Sequence, residues 1–176
     1  MTGESHEIFH RIDPRRATFT RWLRRARKLS RATPELRSLA KRLTDFNAPN
    51  NTSSAQTAAA FPATDKLRPL LATLMGQGGV RALLSRALVL ATAEVPWLRA
   101  VQVNADGDFE GFEALGLQLD ASDFVEGRVV LLAQLFGLLV ALIGPSLTLR
   151  LTGEIWPQIP LDEQDFGREV KSEKAN

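Results

Sequence analysis

The sequence predicts an all-α protein: a small helical bundle with a central apolar helix, preceded by a basic helical arm and a flexible linker. Three observations carry this. Apolar residues recur at i, i+3, i+4 and i+7 spacing over much of the chain, the period of a helix with one buried face. Residues 129–143 hold Gln134 as their one polar side chain, which suits a helix surrounded by others. Charge is also unevenly spread. Residues 1–46 carry twelve basic against five acidic side chains, a net +7, and the rest of the chain ten against fifteen, a net −5.

Composition bounds the reading further. With 176 residues, 44% hydrophobic and 24% charged, the chain suits one domain with tails and excludes disorder throughout. It has no Cys, so disulfides, thiolate metal sites and cysteine nucleophiles are excluded. Residues 1–16 are polar where a secretory signal needs an apolar core, so the expectation is a cytoplasmic protein, peripheral at a membrane if the arm binds one.

The arm spans residues 1–46. Within it, residues 19–31 (FTRWLRRARKLSR) place Phe19, Trp22, Leu23 and Ala26 on one face of a helix and the arginines mostly on the other. Thr33-Pro34 then matches an N-cap followed by proline at the first helical position. Leu36, Leu39, Ala40 and Leu43 continue this second helix to about Phe46. Residues 47–64 are uncharged and rich in Asn, Thr, Ser and Ala, the composition of a linker and the expected domain boundary.

The bundle is expected over residues 65–160. Thr64 or Asp65 can cap a helix with Pro69 in an early turn and Leu67, Leu70, Leu71 and Leu74 as its stripe. Gly76, Gly78 and Gly79 end it, and a next helix runs from about Gly79 to Glu94, closed by Pro96. Residues 97–103 fit a helical turn or a short strand, and residues 104–108 (NADGD) a turn. Ser122, with Asp123 and Glu126 in the first turn, opens the apolar helix that Gly144-Pro145 breaks. Residues 145–156 read as a last helix, although Leu147, Leu149 and Leu151 also alternate as in a strand. Residues 161–176 read as a polar, frayed tail, and no internal repeat is evident.

Several motifs could carry chemistry. His6-Glu7-Ile8-Phe9-His10 matches H-E-x-x-H, in which two histidines on one helical face share a zinc ion and the Glu activates its bound water. It resembles the motif of the zincin metallopeptidases over these five residues. The resemblance implies zinc on His6 and His10 with Glu7 as general base, but a third ligand would have to be a carboxylate such as Glu35. Asp106, Asp108 and Glu110 before Gly111 resemble the start of a calcium loop, yet Leu117 stands where a bidentate Glu is needed, so an acidic turn is expected. Gly76-Gln77-Gly78-Gly79 lacks the Lys-Ser/Thr ending of a phosphate loop and reads as a helix terminus.

Residues 129–149 are uncharged between Arg128 and Arg150, about the length that crosses a bilayer. Gly144-Pro145 interrupts them, and the expectation is a buried central helix. Two function classes follow. The first is a non-enzymatic interaction or adaptor protein. Its contact with an anionic membrane surface, nucleic acid or a protein partner would run through Arg21, Trp22, Arg24, Arg25, Arg27, Lys28 and Arg31, and the bundle could also form a homo-oligomer. The second is a small zinc-dependent hydrolase using His6, Glu7 and His10.

Overall fold

Thr33 opens the first helix, α1 (Pro34–Phe46), in the computed structural model, which describes residues 32–47 and 61–166. The Thr33 hydroxyl accepts the Leu36 N–H at 3.3 Å, and Pro34 takes the position where an N–H would have no helical partner. Leu36, Leu39, Ala40 and Leu43 are all buried, so the predicted stripe is the packed face. Asn47 ends the helix, its Nδ2 donating to the Leu43 carbonyl at 2.6 Å.

The second helix, α2 (Pro62–Thr92), starts earlier than Thr64 or Asp65 and inside the stretch read as linker. The reason lies in Phe61-Pro62. The Phe61 ring is 4% exposed, inserted among other aromatic rings, and Pro62 sets the first helical turn. Thr64 is not a cap: its hydroxyl donates to the Phe61 carbonyl from inside the helix. Pro69 likewise stands well within α2. At Gly76 the backbone leaves helical geometry (φ 72°, ψ 166°), so α2 is two helical segments meeting at a corner, as the glycines predict.

Residues 97–103 contain both elements the sequence allows. A 3-10 turn (Pro96–Ala100) leads into β1 (Gln102–Val103), which pairs antiparallel with β2 (Phe109–Glu110), Val103 opposite Phe109. Asn104 builds the turn between them, its Oδ1 accepting the N–H groups of Asp106 and Asp108. After the short α3 (Phe112–Gly116) comes α4 (Ala121–Ile143). It opens one residue before Ser122, with Asp120 at the N-cap position. Gly144 then turns the chain (φ 83°, ψ 162°) into α5 (Pro145–Ile155), a helix rather than a strand.

The architecture is all-α, a small bundle around α4. Residues 129–139 of α4 are buried without a break, packed by α1, α2 and α5. Among the described residues α4 is the one helix long and apolar enough to cross a membrane by length and composition, and most of its apolar length is enclosed by protein. The buried threonines are satisfied locally: Thr44, Thr148 and Thr152 donate to the carbonyls of Ala40, Gly144 and Thr148. The core extends past residue 160. Phe166, in a 3-10 turn (Gln164–Phe166), is 2% exposed and packs edge-on against Phe136. Arg42 of α1 holds that turn through Asp165 at 2.6 Å and the Pro160 carbonyl at 3.2 Å. The start of the expected frayed tail is therefore packed, because one large ring outweighs its polar neighbours.

The two glycine corners reveal a repeat that the sequence reading missed. Residues 67–76 (LRPLLATLMG) and 135–144 (LFGLLVALIG) share Leu-x-x-Leu-Leu-x-x-Leu followed by Met or Ile and Gly. Any buried helix can show such leucines. The resemblance goes further because both glycines adopt the same backbone conformation, one that essentially only Gly occupies. Burial corresponds as well. Leu67 and Leu71 match Leu135 and Leu139 as buried positions, and after the corner Val80, Leu83 and Leu84 match Thr148, Leu151 and Thr152. Leu74 and Leu142, two residues before each Gly, are both exposed.

Candidate functional site

Two polar clusters lie where elements meet. The first fastens α1. Arg37, one turn into that helix, pairs with Glu94 just beyond α2 and approaches Glu126 of α4 at 3.7 Å. The second oxygen of Glu94 accepts from Nε2 of Gln134, the polar residue in the middle of the apolar helix. Gln134 is 3% exposed, and its Oε1 has no hydrogen-bond partner among the described residues. The chain Arg37–Glu94–Gln134 thus ties three segments that are far apart in sequence. Such a network fixes register and orientation more than it adds stability.

The second cluster sits over an aromatic group. Phe61, Trp97, Phe109, Phe112 and Phe124 contact one another with ring centres 5.8 to 6.3 Å apart. Trp97 reaches α4 because Gly127 leaves room for it; a Cβ at that position would overlap the indole ring. Arg128 lies with its guanidinium 5.2 Å from the Phe61 ring centre and 5.7 Å from that of Phe124. Nearby, Arg68 pairs with Asp65 at 2.7 Å and with Asp108. Burial is the main cause that raises the Asp65 carboxyl above its ordinary value of 3.8; Arg68 opposes the rise and Asp108 adds to it. Burial also draws Arg128 below its ordinary range, with Asp65 opposing. The arrangement holds the β1–β2 hairpin on the helices.

These carboxylates are engaged with arginines, and no group of three His, Asp or Glu among the described residues could hold a metal ion. The acidic turn at Asp106, Asp108 and Glu110 is the hairpin turn: Glu110 accepts from the Asn104 amide at 3.0 Å and Asp108 faces Arg68. Glu35, the carboxylate considered as a third zinc ligand, stands in the first turn of α1. There hydrogen bonds from Thr33 and from its own N–H hold its carboxyl below the usual range. Arg21, Trp22, Arg24, Arg25, Arg27, Lys28 and Arg31 lie outside the described residues, as do His6, Glu7 and His10.

Sequence reasoning did not single out Arg37, Glu94 or Arg68, and it named Asp65 only as a candidate helix cap. One signal was present, since Gln134 interrupts an otherwise apolar stretch and a buried amide needs a partner. Nothing in sequence alone points to Glu94 as that partner. Comparison of the chain with protein-family models, with curated proteins and with solved structures gives no match.

Proposed function

We propose that this protein is a non-enzymatic interaction protein of the adaptor kind, whose bundle carries a basic segment into contact with an anionic surface or a protein partner. The observation that supports this most is the way α1 is held. Thr33 caps a helix whose apolar face is packed on α4 and whose Arg37 is committed to Glu94 and Glu126. Arg31 is two residues from that fixed cap. Between Asp13 and Glu35 the chain carries eight cations and no anion, so this stretch has no acidic neighbour in sequence to neutralise it. Residues 61–166, by contrast, carry seven basic against thirteen acidic side chains. A cationic stretch joined to an acidic body suits recruitment to anionic surfaces through that stretch. On this reading the protein is cytoplasmic and peripheral, and Arg21, Trp22, Arg24, Arg25, Arg27, Lys28 and Arg31 make the contact.

The test is charge reversal in the full chain. Arg24→Glu with Arg25→Glu is expected to weaken binding to phosphatidylserine-containing vesicles by roughly tenfold or more, at about 1 kcal/mol for each basic residue near an anionic surface. Wild-type binding should fall steeply with salt. A double variant that binds as wild type refutes the role of the segment. A duplex oligonucleotide run alongside separates lipid from nucleic acid as the preferred anion.

A further inference from the structure

The repeated corners carry a second contact surface, and charge decides its chemistry. Each corner interrupts a long uncharged run, residues 69–80 around Gly76 and 129–149 around Gly144. At the second corner Leu142 is 61% exposed and Leu147 40% exposed, although the helix behind them is buried. At the first, Leu74 is 48% exposed in the equivalent position. The first charged residue after each corner is an exposed arginine, Arg81 and Arg150. More telling is where the acids are. Residues 66–93 and 127–153, which contain the two corners, hold six Lys and Arg and no Asp or Glu, so all thirteen acids of residues 61–166 lie elsewhere.

An apolar tip flanked by arginine, in a stretch of sequence without carboxylates whose nearest acids are Glu154 on Arg150 at 3.4 Å and Asp108 on Arg68, matches the interfacial layer of an anionic bilayer: leucines enter the acyl boundary while guanidinium groups stay with the phosphates. We propose that the corner formed by Leu142, Gly144 and Leu147 is a lipid-docking tip, with the corner at Leu74 its duplicate. This deepens the adaptor reading by naming a lipid surface as the partner, but it rests on different residues. A short, rigid corner inserts only shallowly, so the contact is peripheral.

The experiment uses the full chain and vesicles of phosphatidylcholine with or without a quarter phosphatidylserine. Leu142→Ser with Leu147→Ser is expected to lower the bound fraction by roughly tenfold on the anionic vesicles, since each leucine loses part of its transfer from water. Both positions are exposed, and an unchanged thermal midpoint will show that the fold survives. Trp22→Phe with Leu142→Trp should also give an indole emission that moves to shorter wavelength on adding anionic vesicles. Unchanged binding of the serine variant, or an indole that does not respond, overturns the proposal. Arg24→Glu with Arg25→Glu separates the two readings: loss there with no loss at the corner leaves the basic segment as the only contact, and the reverse leaves the corner. If the serine variant instead converts a dimer to a monomer and vesicles are not bound, the corner is an interface between copies and the lipid proposal falls.

Discussion

A Cβ added at Gly76 or Gly144 would meet no atom within 4 Å, so alanine at either position alters backbone energy alone. With φ of 72° and 83° and ψ near the extended limit, each substitution is expected to cost about 1–3 kcal/mol, and the two should be similar, read as shifts of a urea midpoint. Gly127 differs. It is helical, and alanine there collides with the Trp97 ring, so the expected loss of about 1–3 kcal/mol comes from overpacking and should alter the near-ultraviolet signal of the tryptophan. Asp65 gives a pH signature. Its folded-state pKa lies above the unfolded value, so its contribution to stability is complete below the unfolded value and lost as pH rises through the folded one. Relative to Asp65→Asn, the wild type should therefore gain stability as the solution is acidified, and a constant difference between the two would contradict the partial burial of that half-exposed carboxyl.

Among the elements, α1 was fully legible because both of its ends are written in local chemistry: Thr33-Pro34 at the start and Asn47 after a regular leucine stripe. The start of α2 was not, since Phe61 is fixed by rings from β2, α3 and the Arg128 side chain, all distant in sequence. Phe166 was hidden in the same way among polar residues, its partner Phe136 lying in α4. The repeat escaped notice because its leucines look like ordinary helical periodicity until the glycine backbone angles are seen. The packing of α1 makes its own prediction. Leu39 and Leu43 are both 0% exposed, so alanine at either is expected to cost about 2–5 kcal/mol and to unfold the whole body in one transition. A separate early loss of α1, seen by hydrogen exchange, would contradict its place in the core. Thr33→Ala should cost only about 1 kcal/mol, the scale of a lost cap.

At the scale of the molecule, apolarity and charge are sorted in opposite ways. The longest uncharged stretch of the chain lies mostly at the centre of the bundle and comes to the surface at the Gly144 corner. The densest positive charge falls in residues 15–31, ahead of the acidic residues 61–166 in sequence. Sequence showed both features but could not say which enclosing elements would cover the apolar helix. That depended on α1 and Phe166, assigned to the arm and the tail, packing beside α2 and α5. The helix α4 is therefore a protein core, and the proposed contact with anionic surfaces is peripheral. Fractionation of the native protein tests this most directly, with the membrane pellet washed first in high salt and then in detergent. Recovery in the first supernatant or in the salt wash is the predicted result. Release by detergent alone would contradict it, because α4 would then be embedded in lipid and the enclosed bundle would not be the native arrangement.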